Sequence, residues 1–249
     1  MKSWEVAMFW TLLVVAPLVV GVGQDISGTD VIRAMHERYS GQWYENLALV
    51  QTVTYYDVEG GAPDSFRVWY ESIRLPGTVR SDIAPLDAGD YDLYAGETWT
   101  RFRSDTLVQS FPGPHPVLLL GFDVYVQPLD ETLAKLERLG VDLSKAEMGE
   151  WQGRQTYVIG DDARQVWVDA EDLLLVRLRL KNPATGSERE IRMEAYEPLG
   201  GGWIATELTF MRDGRVDISE RYDYWTIDVR FDPRIFATDD RRRPAWIRN

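Results

Sequence analysis

Between residues 174 and 224 the chain keeps a period of two through four successive segments, and this alternation restricts the fold more than any other feature. Leu174, Val176, Leu178 and Leu180 alternate with Arg177, Arg179 and Lys181; Ile191, Met193 and Ala195 alternate with Arg189, Glu190, Arg192 and Glu194. Successive side chains of a strand point to opposite faces, so each segment has one apolar and one wet face. Ile204, Leu208 and Phe210 continue the series, as do Ile218, Tyr222 and Tyr224. Turns fall at 182–186, 200–202 and Asp213-Gly214, the last a hairpin signal of the primed type. Four strands in sequence therefore make an antiparallel meander with one apolar side.

The N-terminal half reads the same way after one helix. Val31, Ala34, Met35 and Tyr39 recur at spacings of three and four, with Thr29 or Asp30 as cap and Gly41 as stop, which predicts a short amphipathic helix over 29–39. From Gln42 onward β-branched and aromatic residues, punctuated by Gly60, Gly61, Pro76 and Gly77, predict further antiparallel strands, with a later pair in DLYAGETWTRFRSD and TLVQSF. Pro112, Pro114 and Pro116 bracket a loop, then VLLLGFDVYV leads into PLDETLAKLERLG, a helix capped by Asp130 and stopped by Gly140. The expected class is mainly β with a helical lid (α+β): a curved antiparallel half-barrel of about ten strands, since a long sheet twists and must cover its apolar side. The 29–39 helix and the central insertion, 117–139, supply the cover. Gly121 lies inside the apolar run and weakens a helix by about 1 kcal/mol relative to Ala, so a mobile lid is expected.

Residues 6–20, VAMFWTLLVVAPLVV, follow Lys2 and precede Gly21-Val22-Gly23, so residues 1–23 read as a cleavable secretory signal, with an uncleaved anchor as the alternative. Both readings place the folded part outside the cytoplasm, in the periplasm. Residues 24–240 form a single domain and 241–249, with Arg241, Arg242, Arg243 and Arg248, a basic tail. With 27 Lys and Arg against 40 Asp and Glu, the net charge of −13 argues against nucleic acid as a partner. The absence of cysteine removes thiolate nucleophiles, disulfides and cysteine-ligated metals.

Little else carries chemistry. His36 and His115 have no Ser or Asp partner at motif level, and a zinc site would have to recruit carboxylates. Asp87, Asp90 and Asp92 lack the spacing of a calcium loop, while Asp161-Asp162 and Asp239-Asp240 point apart as neighbours. Glu188 and Glu190 share a face assigned to water. Gly200-Gly201-Gly202 precedes a strand and reads as a turn rather than a phosphate loop. Of the tryptophans, Trp43, Trp69, Trp99, Trp151, Trp167, Trp203 and Trp225 read as core or rim residues. No catalytic residue, metal or cofactor is expected.

The order of parts over residues 25–236 resembles the LolA/LolB superfamily of bacterial envelope proteins, which includes lipoprotein carriers and the sensor RseB. It rests on LALVQTVTYY, LPGTVRSD, the DLYAGETWTRF hairpin with Gly96-Glu97-Thr98-Trp99, the helical insertion, YVIG, and QVWVDAEDLLLVRLRL before the final meander. The resemblance implies a half-barrel lidded by helices around a cavity for acyl chains, with Arg67 and Arg80 as candidates for the basic residue found in the carriers' cavity. A lipid-anchored relative would need a cysteine, which is missing. The implied function is a periplasmic, non-enzymatic carrier or chaperone for the acyl chain of a lipid or lipoprotein. The expected contacts are Val31, Met35 and Tyr39 from the helix; Val53, Val68, Tyr70 and Trp99 from early strands; Leu119, Leu120 and Phe122 from the lid; and Val176, Leu178, Met193, Leu208 and Phe210 from the meander. An envelope sensor or scaffold that binds membrane proteins is the rival, and an envelope hydrolase a disfavoured third.

Overall fold

The computed structural model describes residues 26–57, 61–240 and 242–247. The signal or anchor expected over residues 1–23 lies outside them. The chain begins with α1 (Gly28–Tyr39), then β1 (Asn46–Tyr56), β2 (Pro63–Arg74), β3 (Thr78–Ile83), β4 (Tyr91–Ala95), β5 (Thr98–Arg103) and β6 (Thr106–Pro112). Next come α2 (Pro116–Gly121), a 3-10 turn at Asp123–Tyr125, and α3 (Leu129–Arg138). The second run holds β7 (Ala146–Trp151), β8 (Arg154–Asp161), β9 (Arg164–Asp169), β10 (Leu175–Lys181), β11 (Glu188–Leu199), β12 (Gly202–Arg212) and β13 (Arg215–Ile227), and a 3-10 turn at Pro233–Phe236 follows. All 13 strands belong to one antiparallel sheet in the order β6-β5-β4-β3-β2-β1-β13-β12-β11-β10-β9-β8-β7, three strands more than the sequence suggests. The sheet is open, with β6 and β7 at its edges. It consists of two meanders joined in the middle, where β1 pairs with β13.

Capping chemistry explains where the helices start. Ser27, not Thr29 or Asp30, caps α1: its hydroxyl accepts from the Asp30 N–H while the Asp30 carboxylate reaches back to Ser27. His115 caps α2 by accepting from the Leu118 N–H at 3.1 Å, with Pro116 at the first helical position. Pro128 precedes α3 without a side-chain cap, and Asp130 lies in its first turn. At the β12–β13 hairpin Asp213 and Gly214 take φ of 51° and 78°, the left-handed pair that a primed turn requires.

Both faces of the sheet are covered in part. On the inner face Ile32, Met35, Leu119, Leu120, Val124, Leu136, Ile159, Val166, Leu178, Met193 and Leu208 form one continuous core between helices and strands. Gly28 approaches β8 so closely that an added Cβ would lie 2.4 Å from Ile159 Cγ2. On the outer face, the C-terminal segment packs over β2 to β5. Ile235 and Phe236 bury against Leu93, and the Trp246 indole donates to the Ser72 hydroxyl at 2.8 Å. The basic tail thus includes a packed segment, with Ile247 buried.

The segment expected to act as a lid is packed down on the sheet. Residues 117–125 are all buried. A Cβ on Gly121 would sit 2.8 Å from Met193 Cε, so the glycine serves close packing of α2 on β11. The 3-10 turn is tied to the β2–β3 turn, where the Asp123 carboxylate accepts from the Gly77 N–H at 2.9 Å. Burial pushes the Asp123 carboxyl up to about 7.

The face assigned to water is also richer than expected on β9 to β11. Glu190 is buried and accepts from both Arg177 and Arg192 at 2.6 Å, and the Arg177 guanidinium lies 4.2 Å from the Trp151 ring centroid. Long cationic stems and indoles shield this carboxylate from water.

Candidate cavity on the inner face

Curvature creates the site. Flat, β5 and β12 would lie about 29 Å apart across six strand steps of about 4.8 Å. Yet Trp99 and Arg101 of β5 and Leu208 and Phe210 of β12 line the same cavity of about 360 Å³. The sheet therefore curls around this space. Trp69, Glu71 and Ile73 of β2 face it, with Ile218, Glu220 and Tyr222 of β13, and Val117, Leu118 and Phe122 of the α2 region close it from above.

Strand register sets which side chains point in. Gln51 of β1 is opposite Trp69 on one side and Tyr222 on the other, so all three share the inner face. Glu71 lies opposite Leu49, and Glu220 opposite Val53 and Leu208. Glu71 accepts from the Ser81 hydroxyl at 2.6 Å. Burial raises its carboxyl to about 7, with the Ser81 bond opposing and Asp92 adding repulsion. Burial and then repulsion from Glu71 push the Glu220 carboxyl well above the ordinary carboxylate range. Asp92 is neutralised by Arg101 at 3.2 Å and Arg103 at 2.8 Å. His115 donates its backbone N–H to Tyr94 Oη at 3.1 Å and stands 5.0 Å from the Trp99 ring. Burial lowers its imidazole to about 4, keeping neutral the ring nitrogen that caps α2.

The expected contact residues divide into three groups. Trp99, Phe122, Leu208 and Phe210 line the cavity. Val31, Met35, Tyr39, Leu119, Leu120, Leu178 and Met193 are buried in the continuous core, where the protein's own side chains fill the space; Val53 is buried on the inner face of β1 beside Glu220. Val68, Tyr70 and Val176 depart from the inner face. Trp69 and Glu71 take the inward positions of β2, so Val68 and Tyr70 point outward, and the Tyr70 ring sits 6.3 Å from Trp246. A bulge between Leu175 and Arg177 shifts the parity of β10, and Leu175 replaces Val176 as the buried residue.

The two candidate arginines also separate. Arg80 is on the outer face, where it bonds both oxygens of Asp82 and the carbonyls of Ile235 and Asp240 under the C-terminal segment, so it does not enter the cavity. Arg67 is exposed on β2, opposite Val53. Gln51, Glu71 and Glu220 escaped sequence reasoning because polar residues at inward positions look like breaks in the apolar pattern. Among the described residues no group of three His, Asp or Glu side chains is placed to hold a metal, and no helix is long and apolar enough to cross a membrane.

No family model matches the chain, and no curated protein matches its sequence. Solved structures do share its architecture. A domain named for outer-membrane lipoprotein sorting from Vibrio parahaemolyticus aligns over 85% of this chain and 97% of its own, at 10% identity and a TM-score of 0.56. A DUF1329 family protein from Desulfovibrio piger covers 84% and 95% at 13% identity and 0.53, and a LolA superfamily protein from Nitrosomonas europaea covers 85% and 98% at 12% and 0.52. An open antiparallel sheet curled around an inner cavity, in a chain matched over about 85% of its length by these structures, gives a LolA/LolB-like fold.

Proposed function

We propose that the protein is a periplasmic, non-enzymatic carrier or chaperone that holds the acyl chain of a lipid or lipoprotein in the inner-face cavity. The observation that carries this reading is a space of about 360 Å³ left open between α2 and the curled sheet, walled by Ile73, Val79, Val117, Leu118, Phe122, Leu208, Phe210 and Ile218. That volume lies at the lower end of the range for small-molecule sites, roughly 300–1,000 Å³, and suits part of one chain better than several. Each buried methylene contributes about 0.8 kcal/mol, so eight would give about 6 kcal/mol before association costs. No covalent step is required. The α2 segment acts as the lid, and a bound chain reaches the cavity by displacing Leu118 and Phe122. The fold shared with a domain named for lipoprotein sorting supports the reading.

The test is to purify the protein from its envelope, extract it and identify bound lipid by mass spectrometry, beside Leu208→Glu, which puts a charge in the wall. Lipid on the wild type and its loss from the folded variant are expected. A wild type free of lipid that also fails to bind added fatty-chain probes would overturn the reading.

A sensor or scaffold role is the second reading, favoured by one feature. Edge strand β6 is exposed throughout and presents Leu107, Val108 and Phe111 beside unpaired backbone groups, a surface suited to an envelope protein partner.

A further inference from the structure

The cavity has a polar end for which an acyl chain has no use. Gln51 is fully buried on the inner face, between the lining residues Trp69 and Tyr222 in the ladder, and neither its Nε2 nor its Oε1 has a hydrogen-bond partner. The indole N–H groups of Trp69 and Trp99 are likewise buried and unpaired. Among the described residues Glu220 makes no hydrogen bond or ion pair, and Glu71 bonds only Ser81. Buried polar groups left unpaired, as on Gln51, Trp69 and Trp99, cost free energy that a suitable ligand recovers.

The charges identify the ligand's chemistry. From β2 and β13 come Glu71 and Glu220; from β4 Asp92, already matched by Arg101 and Arg103 of β5; from the start of α2 the neutral His115; and from β13 the phenol of Tyr222. Tyr55 of β1 feels both Asp92 and Glu220. The remaining cations are both exposed: Arg189 of β11 in the wall, whose ladder partners are Leu180 and Arg212, and Arg67 of β2, at the inward register opposite Val53. Two carboxyl groups without a matched cation, among the rings of Trp69, Trp99, Tyr222 and Phe210, give an anionic head no positive partner and repel it wherever they ionise. An ammonium presents three donors and a positive charge that both carboxylates and aromatic faces attract.

We propose that the cavity binds an amphiphile whose polar end is an ammonium group, held by Glu71 and Glu220 on the strands that flank Gln51, with its apolar chain running toward Val117, Leu118 and Phe122. This rests on the lipid-binding reading and narrows it. Because burial raises both carboxyls when the cavity is empty, binding the cation releases protons and strengthens as pH rises.

The experiment is titration calorimetry of the folded chain with dodecylamine, dodecan-1-ol and dodecanoate at matched pH, on the wild type, Glu71→Gln, Glu220→Gln and the double variant. Dodecylamine is expected to bind at least about tenfold more tightly than the alcohol, and the double variant to bring the two within about threefold. Circular dichroism and the alcohol arm report whether the cavity persists in each variant. Dodecanoate binding as well as the amine, or an ammonium preference that survives in the double variant, overturns the proposal. Alcohol binding without preference for the amine sinks this proposal alone, whereas no binding of any probe sinks the lipid reading beneath it. Lysophosphatidylethanolamine bound as tightly as dodecylamine assigns the ammonium to a lipid headgroup; dodecylamine bound alone assigns it to a plain alkyl amine, and both support the site.

Discussion

Replacing Arg80 by Ala tests the division of the sheet into an inner and an outer face. The side chain is 1% exposed, bonds Asp82 at 2.9 and 3.0 Å and the carbonyls of Ile235 and Asp240 at 3.0 and 3.2 Å, and lies 4.2 Å from the Tyr91 ring. Truncation leaves a buried carboxylate without its cation and two carbonyls without donors. Removing one partner of a buried pair costs about 3–5 kcal/mol. At about 2–4 °C per kcal/mol for a domain of this size, Tm should fall by about 6–20 °C. Paired replacement by Met at position 80 and Leu at 82 removes the stranded charge and should restore most of the loss. Urea unfolding followed by tryptophan fluorescence measures the stability, and dodecanol titration below the transition measures the cavity. Stability should drop while affinity of the folded fraction stays within about twofold. An Arg80→Ala protein with an unchanged urea midpoint and weakened dodecanol binding would put the guanidinium in the cavity and refute the register.

Other substitutions test other contacts. Gly202→Ala would drive a Cβ to 2.3 Å from the Trp43 ring and should cost about 1–3 kcal/mol by overpacking, read as a lower urea midpoint. His115→Ala removes the cap of α2 and should cost about 1 kcal/mol in the same assay, with His115→Asn recovering part. A pH series tests Glu71. Its folded carboxyl titrates near 7, above the unfolded value, so its contribution is fully present below about pH 4.5 and is lost as pH rises toward 7. His115, lowered to about 4, contributes stability in the opposite sense, lost as pH falls from about 6.5 to 4, so the informative quantity is the difference from Glu71→Gln. Wild type should lose stability relative to that variant between pH 5 and 8, by an amount on the order of 3 kcal/mol. Equal slopes for the two proteins would contradict a buried Glu71.

Period-two alternation made the C-terminal meander legible because one face of β11 and β12 packs on helices while charged residues such as Arg192 and Glu207 stand on the other. The same logic misled in β2. There Phe66, Val68 and Tyr70 are the more apolar set, but the C-terminal segment covers the outer face near Tyr70 and Ser72, so hydrophobicity no longer marks the inside. β10 failed for a different reason: one extra residue at the bulge exchanges the roles of Leu175 and Val176, and a run of four Leu and Val residues hides such a shift. The greasy 117–126 segment could be located, but how tightly it packs could not be judged. Gly121 is informative only once Met193 is known to lie against it. For the cavity, Trp99, Phe122, Leu208 and Phe210 were accessible from pattern, whereas Gln51, Glu71 and Glu220 come together only through ladder pairing of β2, β1 and β13. The available signal was a polar residue at an inward register in neighbouring strands.

The seam between the two meanders has a consequence for how the molecule is made. Leu47 faces Ile227, 180 positions later, so β1 acquires its second neighbour only after residues up to 227 have emerged from the ribosome. Until then it presents a bare backbone edge, a condition that invites aggregation and calls for a holding factor. Pairing at such separation is slow, which favours assembly after synthesis. β13, the last strand among the described residues, also carries Glu220, so the inner-face cavity is completed in the closing step of folding, and a product truncated before residue 215 has no seam strand to seal it.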